Sequence, residues 1–246
     1  MPRQIDIGTF CRPYLSSEPS RSGSSPREAR SSTWKRAAME SDRRDVGLAE
    51  DISAYLGGFQ RTLEAIAVDD LRAIIGSLSD AYEAERRLFL IGNGGSASTA
   101  SHLACDLAKT VSGKTINPRV KRFRAVALTD NVPLLTAWGN DAGYETIFAE
   151  QIKTLAGSGD LLLVISGSGN SPNILEAVKT ARELGLHSIG LLGFDGGAVR
   201  SLVDLSLVIP SDDYGHIEAA HVVVSHLITA HFVRQLFRHE ASANAG

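Results

Sequence analysis

"LIGNGGSASTASHLACDLAKT", residues 90–110, begins with apolar residues, passes through a cluster of small residues and ends in a helical pattern. This order predicts a buried strand, a glycine turn and then a helix. His102 and Asp106 stand four residues apart in the helical part, so we expect them on one face of that helix. A unit of this kind, repeated along a chain, is typical of an α/β fold.

The alternation of apolar runs and helical patterns continues to the end of the chain. The runs that predict buried strands span residues 87–92, 123–129, 160–166, 188–194 and 204–210. The helical patterns between or after them span residues 96–110, 144–156, 172–185 and 215–238. Residues 46–87 show apolar spacings of three and four, which predict two amphipathic N-terminal helices. We therefore predict an α/β fold whose parallel sheet is covered by helices on both faces.

Composition narrows the class of protein. The 246 residues suit one α/β domain or two small ones, and 43% of them are apolar. Cys11 and Cys105 are the only cysteines, which fits a reducing compartment, and we expect a cytoplasmic protein. No apolar run approaches the roughly 18 residues that a membrane helix needs. With a formal net charge of −3, we expect no membrane and no nucleic acid as partners.

The first 45 residues differ from the rest, and we predict a disordered basic tail before a domain at 46–240. Residues 1–38 carry a net charge of +4, eight serines and four prolines, without an apolar period. A transit peptide, a functional basic tail and an over-long start that precedes the true start at Met39 are the alternatives. The last of these is our preferred interpretation.

Two turns of small residues follow the first and third predicted strands. They are Gly92–Ser96, "GNGGS", and Ser166–Ser171, "SGSGNS". Each combines glycines that admit a close ligand, hydroxyl groups and a helix N-terminus with free N–H groups, which together bind phosphate. Neither matches the P-loop or the dinucleotide fingerprint. Ligands of such sheets bind at the carboxyl ends of the strands, so the two turns predict a phosphate site there.

Histidines and carboxylates form a second candidate site. The last predicted helix carries Glu218, His221, His226 and His231, with His216 near its start. Two imidazoles and carboxylates suit Zn²⁺ or a similar divalent ion. Glu218 and His226 are eight residues apart, about 12 Å along an ideal helix, which is too far for both to bind one ion from one straight helix. Either the helix begins irregularly near Gly215, or the two ligands come from neighbouring subunits.

The motifs "GNGGSASTASHLACD", "GND" at 139–141, "SGSGNS" and "HIEAAHVVVSH" occur together in one order and spacing. With them, the chain over about 48–238 resembles the sugar isomerase (SIS) domain family and, within it, the phosphoheptose isomerases. The resemblance implies a three-layer α/β/α sandwich with a flavodoxin-like parallel sheet. It implies a homotetramer with active sites at subunit interfaces and about one zinc, or another divalent metal, per subunit. The implied reaction converts sedoheptulose 7-phosphate to D-glycero-D-manno-heptose 7-phosphate through an enediol.

The resemblance also assigns roles to residues of this chain. It makes Asp106 the general base and His226 its acid partner, with Glu218 as the other carboxylate that could act as the base. The implied metal ligands are His102, Asp106, Glu218 and His226. The implied substrate and phosphate binders are Asn93, Gly94, Gly95, Ser96, Asn140, Asp141, Ser166, Gly167, Ser168 and Ser171.

The chain departs from the family pattern at several of these positions. The heptose enzymes carry Glu where this chain has Asp106 and Gln where it has Glu218; a Thr is common where Gly167 stands. Thr110, beside Lys109, replaces the family's phosphate-side Arg. Because both carboxylates and both histidines remain, we interpret the set as a retuned metal site.

Two other functions stay open at this point. The Asp106 and Glu218 substitutions favour an isomerase of another sugar phosphate. A non-catalytic SIS protein that binds the replication initiator is the other alternative, although that branch generally lacks the metal-site histidines and acid that this chain retains.

Overall fold

The computed structural model describes residues 47–112 and 121–243. The predicted tail at 1–45 lies outside the described residues. The chain divides into two units, Met1–Ser53 and Ala54–Gly246; apart from the start of the first helix, the fold described below belongs to the second. Among the described residues, none of the helices has both the length and the apolar character needed to cross a bilayer.

The elements alternate as the sequence predicts. Helix α1 covers 47–64. In chain order there follow α2 Val68–Glu83, β1 Arg87–Gly92, α3 Gly95–Cys105, β2 Arg124–Ala127, α4 Val132–Asp141, α5 Ala149–Leu155, β3 Leu161–Ser166, α6 Pro172–Glu183, β4 His187–Gly193, β5 Leu205–Ile209 and α7 Tyr214–Ala243. A π-helical turn, Asp106–Thr110, extends α3, and 3₁₀ turns lie at Tyr144–Thr146 and Ala198–Ser201.

The five strands form one parallel sheet in the order β2-β1-β3-β4-β5. This is the flavodoxin-like order, in which the progression of strands across the sheet changes direction at β1 and β3. The register pairs Gly92 with Ile165, so β1 and β3 end side by side. Their following turns, both singled out from the sequence, therefore open at the switch point where such sheets bind ligands.

Both faces of the sheet are buried, and successive strand residues point to opposite faces. In β1, Leu88 and Leu90 pack into the core under α2, α3 and α7, whereas Phe89 and Ile91 pack under α5 and α6. Strand β3 repeats the alternation, and all six of its residues are buried. The predicted three-layer α/β/α sandwich, with helices preceding the first strand, is confirmed.

Two helical regions differ from the sequence prediction. Helix α4 was not predicted, because its residues carry no clear amphipathic period. Its start is set by Asn131, whose Oδ1 accepts a hydrogen bond from Leu134 N (3.2 Å), and by a proline in the first turn. The single helix predicted over 144–156 is a 3₁₀ turn followed by the shorter α5.

Candidate functional site

The first small-residue turn leads from β1 into α3. Gly94 precedes the helix with φ +53°, a left-handed conformation that favours glycine. The Asn93 side chain exchanges two hydrogen bonds with Asn173 of α6 (2.9 and 2.8 Å), and its Oδ1 also accepts one from the Tyr144 hydroxyl (3.2 Å). Asn93 therefore ties the turn after β1 to the first turn of α6.

The second small-residue turn is held rigidly. Ser166 Oγ accepts from Gly169 N (3.1 Å), and Gly169 O accepts from Val199 N (3.0 Å). Gly169 has φ +61°, and a Cβ there would lie 2.0 Å from Gly196 O, so only glycine fits. A turn braced in this way presents its hydroxyls in fixed positions without rearrangement on binding.

A small cavity of about 140 Å³ lies between the two turns. Its walls include six of the predicted substrate binders: Asn93, Ser96, Ser166, Gly167, Ser168 and Ser171. Helices α3 and α6 both begin beside it, so their N-terminal dipoles favour an anion there. The cavity has the serines, glycines and helix termini that a phosphate group requires.

Glu218 and Tyr214 of α7 complete the cavity wall. The carboxylate oxygens of Glu218 lie 2.8 and 2.9 Å from the place that a Cβ on Gly95 would occupy, so the missing side chain makes room for them. The Tyr214 ring likewise lies 2.8 Å from the place of a Cβ on Gly167, and it contacts Phe194 edge-on at 4.8 Å. Tyr214 was not among the residues that we predicted.

A carboxylate and two imidazoles meet where α3 and α7 face each other. Asp106 Oδ2 lies 3.6 Å from His102 Nε2 and 3.6 Å from His226 Nδ1. One ligand atom of each residue lies within 4.8 Å of those of the other two. The Asp106 side chain is 15% exposed, whereas those of His102 and His226 are 52% and 54% exposed, so the carboxylate is sheltered and the rings face outward.

These three residues fit a divalent ion. Ligands about 2.0–2.1 Å from a tetrahedral zinc are roughly 3.3 Å from one another, close to the 3.6 Å observed here. Two imidazoles and one carboxylate also match the ligand types that zinc prefers. Three protein ligands leave at least one position of such an ion for a further ligand.

Glu218, the fourth predicted ligand, is not in this group, and its carboxylate lies instead beside Gly95. Helix α7 is continuous from Tyr214, so the irregular start near Gly215, one of the two alternatives, is wrong. Of the two, the ligand from a neighbouring subunit remains.

Asn140 and Asp141 end α4, and the Asn140 amide donates to the Asp141 carboxylate (2.7 Å). Both are outside the walls of the cavity. Their predicted substrate contact stays a prediction.

His221 of α7 is buried and makes a structural contact with the sheet. Its Nε2 bonds the carbonyl of Leu192 at the end of β4 (3.1 Å), which anchors α7 to the sheet. Burial lowers the pKa of His221 to about 4, against the smaller raising effect of the Leu192 hydrogen bond. The ring is thus neutral in the folded protein at pH 7, with Nε2–H as the donor.

The His221 shift predicts a pH dependence of stability. The unfolded chain binds a proton near pH 6.5 and the folded chain only near pH 4, so stability is full above pH 6.5 and falls between these values. The loss approaches about 3 kcal/mol. Urea unfolding at several pH values measures it in the wild type and in His221→Gln, which keeps the donor and cannot titrate. An equally steep fall in the variant would contradict the assignment.

Three comparisons with known proteins agree with one another. The SIS domain family model matches residues 54–193. The phosphoheptose isomerase of Geobacter sulfurreducens is 40% identical over 194 residues, covering 77% of this chain and all of the relative. The phosphoheptose isomerase structure from Neisseria gonorrhoeae superposes with a TM-score of 0.68 at 32% identity, covering 75% of this chain and 98% of that one. The phosphoheptose isomerase structure from Francisella tularensis superposes with a TM-score of 0.66 at 31% identity, covering 76% of this chain and 98% of that one.

Proposed function

Since the chain belongs to the SIS domain family, and within it to the phosphoheptose isomerases, we propose that it converts sedoheptulose 7-phosphate to D-glycero-D-manno-heptose 7-phosphate. The reaction is an aldose–ketose isomerisation that supplies heptose nucleotide precursors. One observation carries the proposal: the chain combines a small cavity lined by serines and glycines, between the turns after β1 and β3, with a carboxylate between two imidazoles.

The isomerisation needs a general base, a general acid and a site that binds the phosphate. A base takes a proton from C1 of the ketose to give an enediol, and a proton that can exchange with solvent is then delivered to C2, while a second group moves the hydroxyl proton. Asp106 is the better candidate for the base, because its carboxylate contacts His226, the candidate acid, at 3.6 Å. Ser166, Ser168 and Ser171 would hold the phosphate between the ends of β3 and α6.

We further propose that His102, Asp106 and His226 bind one divalent ion, zinc by preference, per subunit. Such an ion would polarise the carbonyl and stabilise the negative charge of the enediolate. Elemental analysis of the purified protein tests this directly. About one zinc per chain supports the site, whereas a metal-free protein that turns over at full rate, with and without chelator, would contradict it.

The position of Glu218 supports an oligomer, and we propose the homotetramer. On a straight α7, Glu218 and His226 are about 12 Å apart, so they cannot reach one ion from the same chain. Glu218 would then complete the metal site of a neighbouring subunit.

Turnover separates the proposal from its alternatives. Purified protein is incubated with sedoheptulose 7-phosphate, and the aldose product is followed by a coupled assay. Turnover supports the heptose isomerase. Turnover of other ketose phosphates but not of sedoheptulose 7-phosphate supports an isomerase of another sugar phosphate, the alternative that the Asp106 and Glu218 substitutions favour. Absence of turnover with any of them supports the non-catalytic protein.

Gly167 and Tyr214 give a test of the cavity wall. Gly167→Thr restores the residue common in the family, but its side chain overlaps the Tyr214 ring, which lies 2.8 Å from the Cβ position. We expect KM for the sugar phosphate to rise roughly ten-fold or more, since overpacking costs about 1–3 kcal/mol. Gly167→Thr combined with Tyr214→Thr removes the overlap and should recover most of the affinity. Equal KM values for the single and double variants would contradict this contact.

A further inference from the structure

Thr110 lies on the π-helical turn at the end of α3, and its contact is unusual among the helical threonines. Its Oγ1 donates to Asp106 Oδ1 at 2.9 Å. Threonines in helices commonly donate to the backbone carbonyl four residues earlier. In this chain Thr62, Thr99, Thr154 and Thr229 do so, at 2.9–3.2 Å. Thr110 instead holds a side-chain carboxylate.

The π turn accounts for the difference. The carbonyl of Asp106 accepts its hydrogen bond from Val111 N, five residues on, at 3.0 Å. This widened turn runs from Asp106 to Thr110, so both residues of the pair belong to it. Turns of this kind inside α-helices are frequent at functional sites.

The two carboxylate oxygens of Asp106 have different partners. Oδ1 accepts from Thr110, while Oδ2 lies 3.6 Å from both His102 Nε2 and His226 Nδ1. An aspartate has two rotatable side-chain bonds, and a hydrogen bond to one oxygen fixes the direction of the other. Without it, the short Asp106 side chain can turn its carboxylate away from the imidazoles.

We infer that Thr110 is a positioning residue, which orients the Asp106 carboxylate toward His102 and His226 for metal binding and proton transfer. The inference rests on the proposed function and extends it. Where relatives resembling this chain carry a phosphate-side Arg, Thr110 acts on the carboxylate instead. Phosphate binding is then left to the serine turn and the helix termini.

The test uses Thr110→Val, which keeps the shape and removes the hydroxyl, and Thr110→Ser, which keeps the hydroxyl. Thr110→Val should lower kcat roughly ten-fold with KM within about two-fold, since the charged Asp106 carboxylate loses a hydrogen bond. It should also weaken Zn²⁺ binding about 10–100-fold, as loss of partners that orient ligands typically does. Competition with a chromophoric chelator measures this without turnover. Thr110→Ser should match the wild type in both.

Two further variants control for folding and for the loss of a helical threonine. Thr110→Ala should repeat both losses, which keeps the test valid if the valine disturbs the turn. Thr154→Val, on α5 at the opposite face of the sheet, loses a hydroxyl bond to the Glu150 carbonyl and should change neither reading.

Three outcomes are decisive. Losses in Thr110→Val and Thr110→Ala with rescue in Thr110→Ser support the inference. A wild type that binds zinc and turns over, with valine and alanine variants that equal it, overturns the inference alone. A wild type that neither binds zinc nor turns over overturns the proposed function, and the role of Thr110 with it.

Discussion

Asp106→Asn is expected to lower kcat by about 10²–10⁴-fold, the range for loss of a general acid or base. The amide has nearly the shape of the carboxylate and can still accept from Thr110, but it cannot take the substrate proton. Asp106 is the one carboxylate of the described three-residue cluster, so that cluster holds no second carboxylate to act in its place. Steady-state kinetics with sedoheptulose 7-phosphate measures the loss.

A matched control separates this effect from a general change of charge. Asp80→Asn removes an exposed carboxylate of α2 beside the beginnings of β3, β4 and β5, at the opposite edge of the sheet. It should leave kcat and KM unchanged. Circular dichroism should show the same fold for both variants. Wild-type turnover in Asp106→Asn would remove Asp106 from the mechanism and point to Glu218 as the base.

Mixed oligomers are expected to regain activity that their parent chains lack. Glu218→Ala chains retain Asp106, and Asp106→Asn chains retain Glu218. If each site combines Asp106 of one subunit with Glu218 of a neighbour, random assembly restores about one quarter of the sites. Co-expression with two different affinity tags, followed by purification on both, isolates the mixed oligomers for assay.

The contrasting mixture combines Asp106→Asn chains with His226→Asn chains. Asp106 and His226 face each other within one chain at 3.6 Å, so no subunit of that mixture has an intact pair, and activity should stay absent. Failure of both mixtures to recover activity would contradict a site shared between subunits. So would failure to recover any doubly tagged protein.

Much of the fold could be predicted from local pattern. The strands predicted at 160–166 and 188–194 are buried on both faces, so they stand out as short continuous apolar runs, and they lie within one residue of the predictions. Helix α4 was not predicted because none of its residues is buried, so its sequence has no apolar period, and because its start depends on the Asn131 cap. Its signal is the Asn-Val-Pro start, which is a capping pattern and not a periodicity.

The candidate site divides in the same way. The two small-residue turns and the spacing of His102 and Asp106 are local features, so sequence reasoning found them. Tyr214 was missed because it depends on a tertiary contact with the space left by Gly167. The Thr110 contact is local, but it depends on a π turn that the sequence pattern does not indicate. The separation of Glu218 from His226 follows from the continuity of α7 from Tyr214, which the sequence left open.

Isomerisation in D₂O, followed by NMR, tests the central claim most directly. The zinc-loaded protein is incubated with sedoheptulose 7-phosphate, and the appearance of an aldose 7-phosphate is recorded together with its deuterium content at C2. If the proton passes through a carboxylate by way of an enediol, the wild-type protein should give the aldose with deuterium at C2. The Asp106→Asn variant should give neither the aldose nor incorporation of deuterium. Unchanged ketose with the wild-type protein, or an aldose with no deuterium at all, would contradict the account.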